Sequence, residues 1–314
     1  MTTGTGVTRS EGPASSRTSC ADGTYRYGVV LGSPRSGTTF LMQVLNTVPE
    51  AACVSGIIFP AAMSQIVTAP SLPADLYRAL VIEFERSLVR YLESGLFRSR
   101  AVALQKWATT RSGFWQAFRG RWRPRHMIFK EPFLSLAPAY VYEALPGAPI
   151  VHIFRDGRDC ASSLVKTYDV LTDEKLTHLC STEMRLGRKV DHRYVPLWVD
   201  EADTDRFLAA TPFGRALWMW KVMVGRCRTF FSRPEVMASG RVMLVRYEDL
   251  MQDPVREGRR VAEHLGVSPN PRFFRRLRMA HTRSIGSYRR RPAHELAEAL
   301  AIAGDELAHY GYEV

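Results

Sequence analysis

Gly32-Ser33-Pro34-Arg35-Ser36-Gly37-Thr38-Thr39 is the stretch on which the fold turns. Residues 25–32 (Tyr-Arg-Tyr-Gly-Val-Val-Leu-Gly) are rich in β formers and end in glycine. Residues 36–45 set Phe40, Leu41, Val44 and Leu45 at helical spacing. Together they read as strand, tight loop, helix. In that context successive backbone N–H groups at a helix N-terminus form a nest for anionic oxygens. Gly32 and Gly37 let the backbone come close with no Cβ in the way. Thr38 and Thr39 add hydroxyls and Arg35 a cation. The string approaches GxxxxGK[ST], but Thr38 stands in place of the lysine. A nucleoside triphosphate kinase needs that lysine against its β- and γ-phosphates, so a P-loop small-molecule kinase is an alternative reading that the loop itself argues against.

Working outward, residues 74–93 read as an amphipathic helix and 126–130 as a strand. Residues 133–145 follow as a helix ended by Pro146-Gly147, then a strand at 149–154 and a helix at 158–168. A long helix is predicted over 213–231, a strand over 241–246, helical pattern to about 265, and a last helix over 292–309. Short apolar strands alternating with helices predict an α/β fold: a P-loop-type parallel sheet flanked by helices on both faces. No internal repeat or linker divides the chain. The expectation is a disordered tail over residues 1–24 and a single α/β domain over 25–314. Helical insertions are expected at about 55–125 and 169–211, the second resembling a lid.

The chain has 314 residues, 46% hydrophobic and 24% charged. This is ordinary globular composition, which excludes a disordered chain, a collagen and a membrane bundle. Lys+Arg number 43 against 31 Asp+Glu, a net charge of +12, and so basic a balance predicts anionic partners. The five cysteines, Cys20, Cys53, Cys160, Cys180 and Cys227, are scattered and form no CxxC pair. That predicts neither a zinc site nor a disulfide framework, and a reducing compartment. No apolar run is long enough for a transmembrane helix, and residues 1–24 contain no secretory core; the expected location is cytoplasmic, with no stable membrane insertion. Trp107, Trp115 and Trp122 are interleaved with arginines between Arg98 and Arg125. Such a stretch suits phosphates and stacked bases, but no nucleic-acid motif accompanies it, and nucleic acid is not expected as a partner. The arginine- and alanine-rich composition suits a bacterium of high GC content.

Residues 34–39 (Pro-Arg-Ser-Gly-Thr-Thr) resemble the 5′-phosphosulfate loop of sulfotransferases that use 3′-phosphoadenosine-5′-phosphosulfate (PAPS). Cytosolic members carry lysine where Arg35 stands; tyrosylprotein sulfotransferases and many bacterial members carry arginine. The resemblance implies that Arg35, Ser36, Gly37, Thr38 and Thr39 cradle the phosphosulfate and that Phe40 stacks on adenine. Residues 153–163 contain Arg155 and, eight positions on, Ser163, similar to the Arg-x7-Ser pair that binds the cofactor's 3′-phosphate. Read from the residues alone, the same stretch is a helix start at which Asp156, Arg158 and Asp159 pair locally. Residues 128–133 (Ile-Phe-Lys-Glu-Pro-Phe) resemble the Lys-Asp-Pro-Phe string of the tyrosylprotein branch, which implies that Lys130 points at the transferring group. Residues 244–254 are similar to another family hallmark and read as structural, with Tyr247 buried and Glu248 or Asp249 capping the next helix. Residues 282–290 resemble the Ser-Ile-Gly-Arg-Trp-Arg segment of bacterial members. That implies Ser284 at the sulfonate or bridging oxygen and Tyr288, Arg289 and Arg290 at the nucleotide.

The reaction so implied moves a sulfuryl group from PAPS to a hydroxyl, leaving 3′,5′-adenosine bisphosphate. It is carried by position and charge, as phosphoryl transfer is, with Arg35, Lys130 and Ser284 around the reacting oxygens and no metal. The base is the gap in the resemblance. Cytosolic members have a histidine where Pro132 stands. The tyrosylprotein glutamate would fall within residues 53–57, which hold no carboxylate. Glu131 is the nearest candidate, with His281, His178 and Asp169 behind it. A catalytically inactive sulfotransferase-like binding protein is therefore a second alternative. A small-molecule, carbohydrate or lipid hydroxyl is the expected acceptor; its identity and the oligomeric state are not encoded in these motifs.

Overall fold

The computed structural model describes residues 25–55, 63–64, 66–69, 72–94, 100–110, 115, 124–178 and 187–314. The expected tail over residues 1–24, Trp122, Cys20, Cys180 and parts of both expected insertions lie outside the described residues. The chain opens with β1 (Arg26–Leu31), α1 (Thr38–Leu45), β2 (Ala51–Ser55), α2 (Ala74–Glu93), α3 (Arg100–Thr110) and β3 (His126–Lys130). A 3-10 turn (Pro132–Leu136) leads to α4 (Pro138–Ala144), β4 (Ile150–Phe154), α5 (Gly157–Tyr168) and α6 (Asp173–Leu176). A hairpin of β5 (Gly187–Val190) and β6 (Arg193–Pro196) precedes α7 (Thr204–Ala209), α8 (Pro212–Phe231), α9 (Pro234–Ala238) and β7 (Val242–Arg246). The chain finishes with α10 (Tyr247–Gln252), α11 (Pro254–His264), α12 (Pro271–Leu277), a 3-10 turn (Ser287–Arg290) and α13 (Ala293–His309).

β2, β3, β1, β4 and β7 form, in that order, one sheet whose neighbours are all parallel. Apolar residues alternate between its faces. Val29 and Leu31 join Phe84, Phe129 and Tyr140 on one side, while Val30 joins Leu41, Ile128, Val151 and Val245 on the other. Both faces are thus buried, which is why these strands read as unbroken apolar runs. One face carries α1 and α10–α12, the other α2, α4 and the last turn of α8. A third cluster packs α5, α8 and α13 around Trp220 and Phe213. The chain leaves β1 toward β2 and β3 and later returns on the other side to β4, so β1 and β4 flank the switch point where α/β sheets take ligands. Among the described residues no helix is long and apolar enough to cross a membrane.

β2 is absent from the sequence reading because Ala51-Ala52-Cys53-Val54-Ser55 has a single β-branched apolar residue; pairing with β3 along its whole length forms it. α2 does not stand apart from the sheet. Phe84, Leu88 and Leu92 bury one stripe of it, with Phe84 edge-on to Phe129 (5.9 Å) and Tyr140 (5.4 Å). Lys106 pins α3, its ammonium donating to the carbonyls of Asn46 (2.7 Å) and Ala51 (2.6 Å). The segment 169–211 shows no period because its elements are three to six residues long. Buried Arg215 on α8 staples it down, donating to the carbonyls of Leu171 (2.9 Å) and Phe207 (3.0 Å) and to Asp173 (2.7 Å). The helical pattern after β7 breaks at Asp253-Pro254, and here the structure corrects the sequence reading. Asp253 caps α11 by accepting from Arg256 N, while Glu248 accepts from Asp156 N (3.2 Å) and Tyr312 Oη (3.1 Å) and so ties α10 to the start of α5.

Candidate functional site

The loop after β1 is shaped by two glycines. Gly37 has φ 100°, and a Cβ there would lie 2.5 Å from the Tyr247 ring. A Cβ on Gly32 would lie 2.4 Å from the Ile153 carbonyl oxygen. Between them Ser36 is buried and closes the turn, its hydroxyl donating to Ser33 O (2.7 Å). Ser135 Oγ accepts from Gly32 N (2.9 Å) and fixes the loop to the turn after β3. Arg35 itself sits at φ 69°, a left-handed conformation that non-glycine residues rarely adopt. The turn projects its side chain outward, and the residue is exposed. Gly37 caps α1 without a side-chain bond and the first turn holds no acidic residue. The free N–H groups and dipole there favour an anion. Thr38 is buried, Thr39 exposed, and Phe40 half-buried against the core beneath α1.

Arg35 is where the motifs meet. Its Nε donates to Ser163 Oγ (2.9 Å) on α5, and Tyr168 lies 5.7 Å from its guanidinium. Its carbonyl accepts from Arg155 Nη1 (3.2 Å). Arg155 is 5% exposed. Its Nη2 donates to Ser284 O and lies 3.4 Å from Asp159 Oδ2, and its guanidinium stacks on the Tyr247 ring at 4.6 Å. Its Nε is buried, with no hydrogen-bond partner among the described residues. Arg155 and Ser163 are each joined to Arg35, one through its backbone and one through its side chain. The local pairing read from the sequence is also present, with Arg158 bonded to Asp156 at 3.0 and 2.8 Å.

The C-terminal segment is held by one carboxylate. Asp159 is fully buried and accepts from Gly286 N (2.8 Å), Ser287 Oγ (2.8 Å) and Tyr288 N (3.0 Å). Ser284 Oγ lies 3.2 Å from Tyr247 Oη. Tyr288 is buried, with the guanidinium groups of Arg158 and Arg289 at 4.1 and 5.2 Å from its ring centre. Arg289 and Arg290 are exposed. Lys130 ends β3, in register with Val30 of β1 and Ser55 of β2. It has no hydrogen-bond or ion-pair partner among the described residues, and burial lowers its pKa, against the opposing pull of Glu131. Glu131 is buried and accepts from Phe133 N (3.3 Å) as the cap of the following turn. Burial raises its pKa, which that hydrogen bond and Lys130 partly offset. His178, His281 and Asp169 are exposed.

Residues 29–209, more than half of the chain, match the sequence model of the sulfotransferase family. The chain belongs to the sulfotransferase family. The match covers the loop, Lys130, Arg155 and Ser163, and ends before Tyr247 and Ser284. No curated protein matches the chain. Among solved structures it is similar to the sulfotransferase domain of the Synechococcus PCC 7002 olefin synthase (15% identity, 95% of this chain and 98% of that one, TM-score 0.49). It is likewise similar to the sulfotransferase domain from the curacin biosynthetic pathway (14% identity, 92% and 98%, TM-score 0.49). A sulfotransferase from Mycobacterium avium is similar at 14% identity, over 93% and 78% of the two chains, with TM-score 0.45.

Sequence reasoning missed Asp159 and Tyr247 as organisers of this sulfotransferase's site. Asp159 was visible only as part of a local ion pair. Beside Arg155, its hydrogen-bond partners Gly286, Ser287 and Tyr288 lie more than 120 residues away.

Proposed function

We propose that this sulfotransferase moves a sulfuryl group from PAPS to a hydroxyl of a small-molecule, carbohydrate or lipid acceptor. The observation that carries the reading is a lysine-free loop whose own arginine reaches Ser163, beside Lys130 one strand away, which has no ion-pair partner among the described residues. The loop suits the phosphosulfate end of that donor, because its tight backbone leaves no room for a Cβ at either glycine and, among the described residues, no side chain caps the start of α1. Arg35, Ser36, Gly37, Thr38 and Thr39 would hold the phosphosulfate. Ser163, Arg289 and Arg290 would meet the 3′-phosphate. Arg155, bonded to two carbonyls and an aspartate, would chiefly hold these parts together, with its free Nε turned inward. Phe40 is the half-open ring left for adenine, and Tyr288 would support Arg289.

When bound, PAPS supplies an activated sulfuryl group whose bond to the bridging oxygen breaks as a bond to the acceptor oxygen forms. The guanidinium of Arg35 and the ammonium of Lys130 would hold negative charge on the sulfuryl and bridging oxygens. Ser284 would donate to the same oxygens, oriented by Tyr247. Glu131 would take the acceptor proton; a carboxylate whose pKa is raised by burial is a better base than an exposed one.

The test is calorimetric binding of 3′,5′-adenosine bisphosphate against ATP, on the wild type and on Arg35→Ala. Arg35 is exposed, so its loss leaves the core intact, whereas Arg155→Ala would confuse binding with folding. We expect the bisphosphate to bind at least about tenfold tighter than ATP and the variant to lose about that factor or more. Equal affinity, or preference for ATP with magnesium, would return the loop to the kinases.

A further inference from the structure

We propose that a hollow at the far end of α1 is a second oxyanion site, suited to a phosphate or sulfate monoester. It is independent of the donor loop and does not rest on the reading of that loop. The hollow has a volume of about 340 Å³ and lies where Gln43, Asn46 and Thr47 meet Thr109 and the arginines Arg272, Arg275 and Arg276. Eight residues of α1 separate it from Thr38, a distance of about 12 Å along the helix.

Many arginines of the described residues are neutralised by a carboxylate, and these three are not. Arg155, Arg158, Arg215 and Arg228 each lie within 4.0 Å of a carboxylate. Arg272, Arg275 and Arg276 have no carboxylate within that distance among the described residues, and no acidic residue occurs in the sequence between Glu263 and Glu295. Three like charges around one concavity repel one another unless an anion lies between them. Two of the guanidinium groups are held in place without being neutralised. Arg272 Nη1 donates to Thr109 O (3.1 Å), and Arg276 donates to Gln43 Oε1 and Met279 Sδ. The helix that bears them is locked to α1, since Asn270 caps α12 and donates from Nδ2 to Thr47 O (2.7 Å). The remaining N–H groups are forks of the kind that pair with the oxygens of a tetrahedral dianion. Met279, 60% exposed at the rim, offers an apolar contact to the organic part of an ester.

The same headgroup chemistry can come from a soluble ester or from a lipid, and one set of variants separates them. Inorganic phosphate is titrated calorimetrically into Arg35→Ala, which weakens the donor loop, and into Arg35→Ala carrying Arg275→Gln and Arg276→Gln. We expect the first to retain a phosphate site and the second to lose at least about tenfold in affinity. Arg275→Glu alone, at an exposed position, should give the same direction, which guards against misfolding of the double variant. Sedimentation with vesicles of phosphatidylcholine and phosphatidic acid, about one part in five of the latter, is the second arm. Co-sedimentation that depends on Arg275 and Arg276 would assign the site to a lipid headgroup. Arginine-dependent phosphate binding without co-sedimentation would assign it to a soluble ester. Phosphate and vesicle binding unchanged by both sets of substitutions would overturn the proposal.

Discussion

Asp159→Ala tests the architecture of the site most directly. The carboxylate is fully buried, accepts from two backbone N–H groups and one hydroxyl of the 286–288 segment, and lies 3.4 Å from the guanidinium of Arg155. Removing it leaves a buried arginine without its counter-charge, and breaking a buried pair from one side costs about 3–5 kcal/mol. Each orphaned N–H adds about 1–3 kcal/mol where water cannot reach it. These terms overlap, because the segment can swing out and rehydrate, so we expect a loss of about 3–5 kcal/mol in total. Asp159→Asn keeps the volume but turns an amide N–H toward a backbone donor; it should lose about half as much. The assay is urea unfolding, read as a shift of midpoint at constant slope. The accompanying calorimetry should show the bisphosphate bound at least about tenfold more weakly in both variants, since Ser284, Arg289 and Arg290 ride on the same segment. A loss below about 1 kcal/mol for Asp159→Ala would refute the idea that this carboxylate holds the C-terminal segment against the loop after β1.

Three further outcomes follow from the same geometry. Gly37→Ala should destabilise by about 2–4 kcal/mol and abolish anion binding, because φ 100° and a Tyr247 ring carbon 2.5 Å from the new Cβ leave no relaxed position; urea melts and bisphosphate titration check both effects. Lys130→Met should lower kcat for a phenol acceptor by about 10²–10³-fold while changing bisphosphate affinity by no more than about threefold, and equal losses in both would make Lys130 a binding residue only. His152, buried in β4 with neither ring nitrogen partnered among the described residues, is pushed by burial from 6.5 down to about 4. The unfolded chain therefore takes up the proton first, and stability that is full above pH 6.5 is lost as pH falls toward 4. At pH 5 the loss from this residue is about 2 kcal/mol. His126 and His264, also lowered by burial, act in the same direction. Urea unfolding between pH 8 and 5 should show the decline in the wild type and a shallower one in His152→Leu, and parallel curves would count against it.

The sequence by itself determined the strands that build the sheet's centre and the loop between β1 and α1. Central parallel strands are buried on both faces, so Val29, Val30, Leu31, Ile150, Val151 and Ile153 are apolar whatever surrounds them. A glycine turn at a helix start is equally local, because its chemistry resides in consecutive backbone groups. The candidate residues Arg35, Lys130, Arg155, Ser163 and Ser284 were singled out by short strings that resemble family motifs, of which Arg35, Lys130 and Arg155 lie at element ends, Ser163 lies within α5 and Ser284 in a loop. Tertiary structure alone decided how those strings meet. Only the β1–β4 adjacency places Arg35 beside Ser163, 128 residues on, and Arg155 beneath the Arg35 carbonyl. Only the return of the chain after α12 turns Asp159 from a local ion-pair partner into the anchor of residues 286–288. β2, the β5–β6 hairpin and the staple made by Arg215 were likewise hidden. Their sequences are short and nearly aperiodic, and the free energy that forms them comes from partners far along the chain, which no local pattern can encode.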